Sequence, residues 1–380
     1  MSHLFASNAA FEKNNIPVFY ATDENYAPYL YVSIKSLISH ISSEYNYDIC
    51  ILIENLSDRY KKLITSLAAP DNVSVRFFNI GSLLDAEREM ITYTCCHFTV
   101  AMYYRLFIAD IFTCYDKVVY LDCDTIILAD IAELYQTDIS AALLGGAYDF
   151  GAIQLDNGFI PREYISETLN VDYKKYINSG VLVMNARQFR NLEIKIRCLQ
   201  KLAEIKTPYA PDQDILNAVC RDRIFFLPVK WNYEWSLPNS YKSYLNLIPV
   251  EYRKEFQQAA ESPKIIHYTG DKPWKCPHLR YAEYFWQYAR NTPVYETIIF
   301  HNFPRPQQVQ VLPDYALIRE IISYGRNRLT YWRYKLMSKI TWGRRRKKYK
   351  NKRKYLKSKL KLIKQYLKSV SYTHLTLPTN

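Results

Sequence analysis

The chain has 380 residues, 49% hydrophobic and 23% charged, enough for one large domain with a real core plus an appendage, and too apolar for wholesale disorder. Glycine is scarce, at 9, and neither G-x-x-x-x-G-K-[ST] nor G-x-G-x-x-G occurs, which disfavours a nucleotide held by a glycine-rich phosphate loop. The net charge of +13 is local: Thr341 to Val370 holds 14 Lys/Arg and no Asp/Glu, so the rest of the chain sums to −1.

The first elements alternate. Ile16–Ala21 reads as a buried strand, and Pro28–Ser39, with Leu30, Ile34, Leu37 and Ile38 at helical spacing, as a helix. Asp48–Ile53 is a second strand, Ser57 caps a helix running through Leu67, and Val73–Phe78 is a third strand. Strand and helix in alternation predict a parallel sheet covered by helices. A fourth strand, Lys117–Leu121, runs into Asp122-Cys123-Asp124. Shorter apolar runs follow at Ala142–Ala147, Val181–Met184, Ile224–Leu227 and Lys264–Tyr268, with a helix over Asp212–Cys220. The pattern breaks in the Pro- and Asn-containing stretch around Asn291–Gln310.

Five segments result: an N-terminal extension (1–14), a catalytic-sized domain (15–290), a connecting helical segment (291–340), a basic tail (341–369) and a final stretch (370–380). In the tail, Arg344–Lys354 is a charge run. Lys354–Lys368 is amphipathic, with Leu356, Leu360, Ile363 and Leu367 on one face and lysines beside them. Such a helix suits an anionic membrane surface. Nucleic acid is not expected as a partner, because the body shows no nucleic-acid-binding motif. The last stretch, beginning VSYTHL, matches one reading frame of a sequencing-library adapter and is read as non-native.

The eight cysteines show no C-x-x-C pair and no zinc spacing, and read as reduced thiols of a cytosolic protein. No signal peptide and no long apolar span is visible, so the expected location is cytoplasmic, peripheral to the inner face of the membrane through the tail.

The chemistry begins at Asp122 and Asp124. At the end of a strand, residues i and i+2 share a side, and two carboxylates there call for a cation. Oxygen ligands favour Mn²⁺ or Mg²⁺. A lone D-x-D is equally the pattern of a polar strand end capping a turn. Lys264–Trp274, KIIHYTGDKPW, adds to it: a strand delivers His267, Gly270 allows close backbone approach, and Lys272 supplies a cation for a diphosphate.

Taken together, the segments FYATDENY, Tyr103-Tyr104-Arg105-Leu106, LDCD, Asn178-Ser179-Gly180, Asp212-Gln213-Asp214 and HYTGDKPW resemble glycosyltransferase family 8, the retaining bacterial galactosyl- and glucosyltransferases related to glycogenin. The resemblance covers Ile16 to Trp274. It implies an α/β fold of GT-A type, a Rossmann-like nucleotide-binding mixed sheet flanked by helices, here with a basic helical C-terminal tail. It also implies a hexose, glucose or galactose, moved from UDP-glucose or UDP-galactose to a glycan or lipid-linked acceptor in cell-surface polysaccharide synthesis. Ala21, Asp23, Asn25 and Tyr26 would hold uracil and ribose. Arg105 would reach the donor sugar and diphosphate. Asp122, Asp124 and His267 would bind Mn²⁺ (or Mg²⁺). Asp149, Asn178 and Asp212 would bond donor-sugar hydroxyls, Gln213 would sit by the anomeric carbon, and Gly270 and Lys272 would close over the diphosphate. Gln213, Asp212 and Arg105 are the candidate catalytic residues. Cys123 stands where an apolar residue is more usual, a mild departure. Two other readings are a membrane-associated adaptor without activity and a metal-dependent nucleotidyltransferase.

Overall fold

The computed structural model describes residues 8–84, 100–154, 158–234, 245–302, 328–337, 339, 346–358 and 360–361. The chain divides into two compact units, Met1–Phe303 and Pro304–Asn380.

The first unit opens with β1 (Asn15–Ala21), α1 (Ala27–Ile38), β2 (Asn46–Ile53), α2 (Asp58–Thr65) and β3 (Val73–Asn79). Pro28 sits in the first turn of α1, where its missing N–H costs nothing. Ser57 caps α2 as its position suggests, its hydroxyl accepting from the Tyr60 N–H. The inner strands are mostly apolar because both faces are covered, and Asp48, buried in β2, is paired with Arg76. Val18, Tyr20, Ile49 and Ile51 enter one core cluster, while Phe19, Cys50 and Leu52 enter the other. Each such side chain removed from water contributes roughly 1.5–3 kcal/mol.

A 3-10 segment (Val100–Phe107) then leads through α3 (Ile108–Ile111) to β4 (Val118–Leu121), β5 (Thr125–Ile127), α4 (Ile131–Tyr135) and β6 (Leu144–Tyr148). After a π-helical turn at Tyr164–Thr168 come β7 (Ile177–Met184), α5 (Ala186–Asn191), α6 (Ile194–Ile205), α7 (Pro211–Cys220) and β8 (Ile224–Phe226). The unit closes with β9 (Tyr233–Glu234), α8 (Val250–Glu261), β10 (Ile265–His267), α9 (Ala282–Ala289) and α10 (Tyr295–Asn302).

The main sheet has the order β3-β2-β1-β4-β7-β6-β8, and a small second sheet has the order β5-β10-β9. The main sheet is parallel from β3 to β4 and becomes antiparallel where β7 pairs with β4 and β6. β10 runs antiparallel to β5 and parallel to β9. α10 packs on α1, with Ile298 fully buried and the Asn302 amide donating to the Tyr29 hydroxyl at 2.8 Å.

In the second unit, residues 328–337 and 346–358 are helical, and Leu329, Trp332, Leu336 and Tyr355 are exposed. Leu356 is buried, whereas Ile363, Leu367 and the adapter-like stretch lie outside the described residues. Among the described residues no helix is long and apolar enough to cross a membrane.

Candidate active site

The chain passes from one sheet to the other between Leu121, the last residue of β4, and Thr125, the first of β5. Asp122 and Asp124 sit in that turn. The sequence reading puts them on one side of a continuous strand; they converge instead because the backbone turns between two sheets. The Asp122 N–H donates to the Gly180 carbonyl of β7 at 2.8 Å, and the Cys123 thiol donates to the Ala21 carbonyl at 3.1 Å. Cys123 thus ties the turn to the end of β1.

β10 brings His267 to the same place through its antiparallel register with β5, in which His267 faces Thr125. One ligand atom from each of Asp122, Asp124 and His267 lies within 4.8 Å of the others. His267 Nε2 is 3.2 Å from Asp124 Oδ1 and 3.8 Å from Asp122 Oδ2. Gly180 forms the floor. A Cβ there would lie 2.1 Å from His267 Cε1 and 2.7 Å from Asp122 Oδ2, so only glycine keeps the space between these ligands clear. Two carboxylates and one imidazole around such a space fit a divalent cation of the Mn²⁺ or Mg²⁺ type. Lys272 Nζ stands 2.5 Å from Asp124 Oδ2. Burial opposes ionisation of Asp124, yet Lys272 and His267 together hold its carboxyl well below the usual range.

A buried polar network extends from this cluster. His267 Nδ1 is 3.0 Å from Asn232 Oδ1, and the Asn232 amide donates to Asn178 Oδ1 at 2.9 Å. Asn178 Nδ2 lies 3.4 Å from Asp149 Oδ2, which also accepts from Gln213 Nε2 at 2.8 Å. Gln213 Oε1 accepts from the Ser179 N–H at 3.0 Å. Burial pushes the Asp149 carboxyl up, and the amide donors around it act against that.

Arg105 is only 3% exposed. Its guanidinium meets Asp122 Oδ1 at 2.7 Å, Asp212 Oδ2 at 3.1 Å and Ser179 Oγ at 3.0 Å, and lies over the Tyr120 ring at 4.1 Å. It is a buried hub between two carboxylates, Asp122 and Asp212. Asp212 opens α7 behind Pro211, and burial raises its carboxyl while Arg105 opposes the shift.

The β1–α1 loop is the open edge. Ala21 ends β1, the Asp23 carboxylate accepts from the Tyr26 N–H at 2.9 Å, Asn25 is exposed, and Tyr26 is 38% exposed. Burial of its hydroxyl, then the nearby Asp124 charge, raises the Tyr26 pKa. Gly270 is exposed, and Lys272 is partly buried beside Asp124.

Several residues here escape sequence reasoning. Asn232 and Glu234 lie in WNYEW, which reads as aromatic and uninformative. The Glu234 carboxyl sits against the Phe150 and Gly151 N–H groups, and burial, then Asp149, pushes it well above its ordinary value. Asn217 pairs with both the N–H and the carbonyl of Ile177, at 2.8 Å each, acting as a strand edge for β7.

The profile describing glycosyl transferase family 8 matches residues 17–276, most of the first unit and every residue of this site. The chain belongs to glycosyltransferase family 8. It is a glycosyltransferase with a GT-A-type mixed sheet flanked by helices. Among family-8 relatives, it is 26% identical over 271 residues to General stress protein A of Bacillus subtilis, covering 69% of this chain and 89% of that one. It is 26% identical over 306 residues to a lipopolysaccharide 1,2-glucosyltransferase of Escherichia coli, covering 79% and 83%. The apo structure of the bifunctional glycosyltransferase WbbM superposes with a TM-score of 0.68 at 31% identity, over 77% of this chain and 52% of WbbM. The chain thus spans about half the length of WbbM. The galactosyltransferase LgtC, solved with donor and acceptor sugar analogues, shares the fold at 21% identity and a TM-score of 0.61, over 73% of this chain and 96% of LgtC.

Proposed function

We propose that this family-8 enzyme moves glucose or galactose from a UDP-sugar to a glycan or lipid-linked acceptor, with retention at the anomeric carbon. The supporting observation is the trio Asp122, Asp124 and His267 converging over Gly180, beside the buried Asp149–Asn178–Gln213 network. The lipopolysaccharide glucosyltransferases among its relatives favour a cell-surface polysaccharide as product.

Asp122, Asp124 and His267 Nε2 would hold Mn²⁺ (or Mg²⁺), which when bound supplies positive charge for a leaving diphosphate. Lys272 adds a second cation, turning from Asp124 to the phosphates, with Gly270 beside it. Ala21, Asp23, Asn25 and Tyr26 would receive uracil and ribose on the open edge. Asp149, Asn178 and Asp212 would meet sugar hydroxyls. Arg105, held between Asp122 and Asp212, would reach the donor sugar and diphosphate. Gln213 has both ends of its amide hydrogen-bonded inward, to Asp149 and the Ser179 N–H, and is a poor nucleophile. Front-face attack fits this best, with the leaving phosphate taking the acceptor proton.

The decisive experiment is a panel of UDP-sugars incubated with the protein and Mn²⁺, scored for UDP. UDP-glucose or UDP-galactose should be hydrolysed, and Asp122→Ala should lower the rate by at least about 10³-fold, the scale of a lost electrostatic catalyst. Pyrophosphate in place of UDP would mark a nucleotidyltransferase. Full activity of Asp122→Ala in EDTA would remove the metal from the proposal.

The basic tail would hold the enzyme to an anionic membrane, each Lys or Arg contributing up to about 1 kcal/mol. Full-length protein should float with phosphatidylglycerol liposomes at low salt, and protein ending at residue 340 should not. Equal flotation of both would assign membrane contact elsewhere.

A further inference from the structure

Phe159 is 58% exposed, the most exposed phenylalanine among the described residues, yet it stands on tightly fixed backbone. Its N–H donates to the Gly151 carbonyl at 3.3 Å. The preceding Gly158 crosses the same loop so closely that a Cβ would lie 2.2 Å from the Gly151 carbonyl oxygen and 2.6 Å from that of Ala152. These are backbone atoms and cannot swing aside, so glycine is required at the crossing. The ring lands beside Gly151. Its Cδ1 and Cε1 are each 3.4 Å from where a Gly151 Cβ would stand, and Asp149 Oδ1 is 3.1 Å from that same point. One face of the loop therefore carries a wet aromatic ring, next to the carboxylate whose other oxygen binds Gln213.

A single exposed ring is ordinary, but one fixed in place by a glycine crossing beside a carboxylate of the site points to a ligand. The ligand must offer an apolar patch the size of one ring and hydroxyls around its rim for Asp149 and its neighbours. A pyranose has that form: its axial C–H bonds make one face apolar, and its hydroxyls project at the edge. An acyl chain would need an extended apolar groove, and a lone phenyl beside a carboxylate provides none.

We propose that Phe159 is the platform on which the acceptor sugar stacks, fixing the acceptor ring against the Asp149 side of the reaction centre. This rests on the glycosyl-transfer reading above and adds the residue that recognises the acceptor. It makes Phe159 a specificity-determining residue whose loss weakens acceptor binding.

The test is saturation-transfer NMR on the full chain with UDP and Mn²⁺, using methyl β-D-glucopyranoside, methyl β-D-galactopyranoside and lactose as probes. Phe159→Ala, Phe159→Tyr and, as a control on an exposed ring of β8, Phe225→Ala are compared with wild type, after unfolding curves confirm that each folds. Wild type, Phe159→Tyr and Phe225→Ala should saturate the ring C–H protons of at least one probe. Phe159→Ala should bind that probe about ten-fold more weakly, the scale of one aromatic stacking contact. Equal binding by Phe159→Ala and wild type overturns the proposal, as does an absence of binding by a wild type that hydrolyses UDP-sugar. Phe159-dependent binding by a wild type that hydrolyses no UDP-sugar would uphold the platform and sink the transfer reading.

Discussion

The two ends of the proposed site are built in opposite ways. At the sugar end, Asp149, Asn178, Asp212 and Gln213 are all at most 6% exposed, and each is hydrogen-bonded to another protein group. At the nucleotide end, Asn25, Tyr26 and Gly270 are exposed on loops. A hydrogen-bonded interior fixes its donors before a substrate arrives, so nothing need reorganise during the reaction. Side chains on an exposed loop hold the part of a ligand that does not react, so their contribution shows in affinity. The proposed sugar end is buried and internally hydrogen-bonded, and the proposed nucleotide end is open.

This contrast can be broken or sharpened by substitution. The largest effect should come from Asn232→Ala, which removes the group orienting His267 from behind. Such supporting residues typically matter by 10–100-fold, and we expect the loss in kcat, with weaker Mn²⁺ binding by calorimetry. A loss confined to KM would mean that the buried end is no more rigid than the loops. Next, Tyr26→Ala should raise the KM for the UDP-sugar about ten-fold, as loss of one stacking contact does, with kcat nearly unchanged. A kcat defect there would erase the distinction.

The remaining effect is on stability rather than on rate. The Asp214 carboxylate accepts from the Tyr164 hydroxyl at 2.8 Å, from the Ala210 N–H at 3.0 Å and from the Tyr176 hydroxyl, and burial still pushes its pKa up to about 6. A raised carboxyl stabilises the fold fully below its unfolded value, and that stability is lost as pH rises through the folded one. Between about pH 4 and about pH 6 this one group should cost about 3 kcal/mol. Asp214→Asn should flatten that part of a melting-temperature profile. An unchanged slope would assign the pH dependence to another group.

Much of this was legible in the sequence. The strand-helix alternation gives β1 to β3 with their helices because covered strands read as short, mostly apolar runs. The trio Asp122, Asp124 and His267 stands out through the order of its motifs, LDCD and then HYTGDKPW, since D-x-D alone is equally a strand-end cap. The small sheet was not legible: β5 and β9 have three and two residues, too few for any periodicity, and they exist because β10 pairs with both. Without it the sheet-to-sheet turn holding the two aspartates looks like the end of one strand. Asn232, Asn217 and Glu234 were hidden for a related reason. Their roles depend on which distant backbone or ring they meet, and local sequence carries no trace of that.

The line from His267 through Asn232 and Asn178 to Asp149 has one further consequence. Its two middle members are carboxamides, which neither gain nor lose a proton at any pH the enzyme meets. Each can pass on direction, because turning one amide reverses its donor and acceptor ends and so disturbs the next. None can pass on charge. The imidazole and the buried carboxylate are thus mechanically geared yet electrically insulated, and a proton arriving at Asp149 has no wire along which to reach His267.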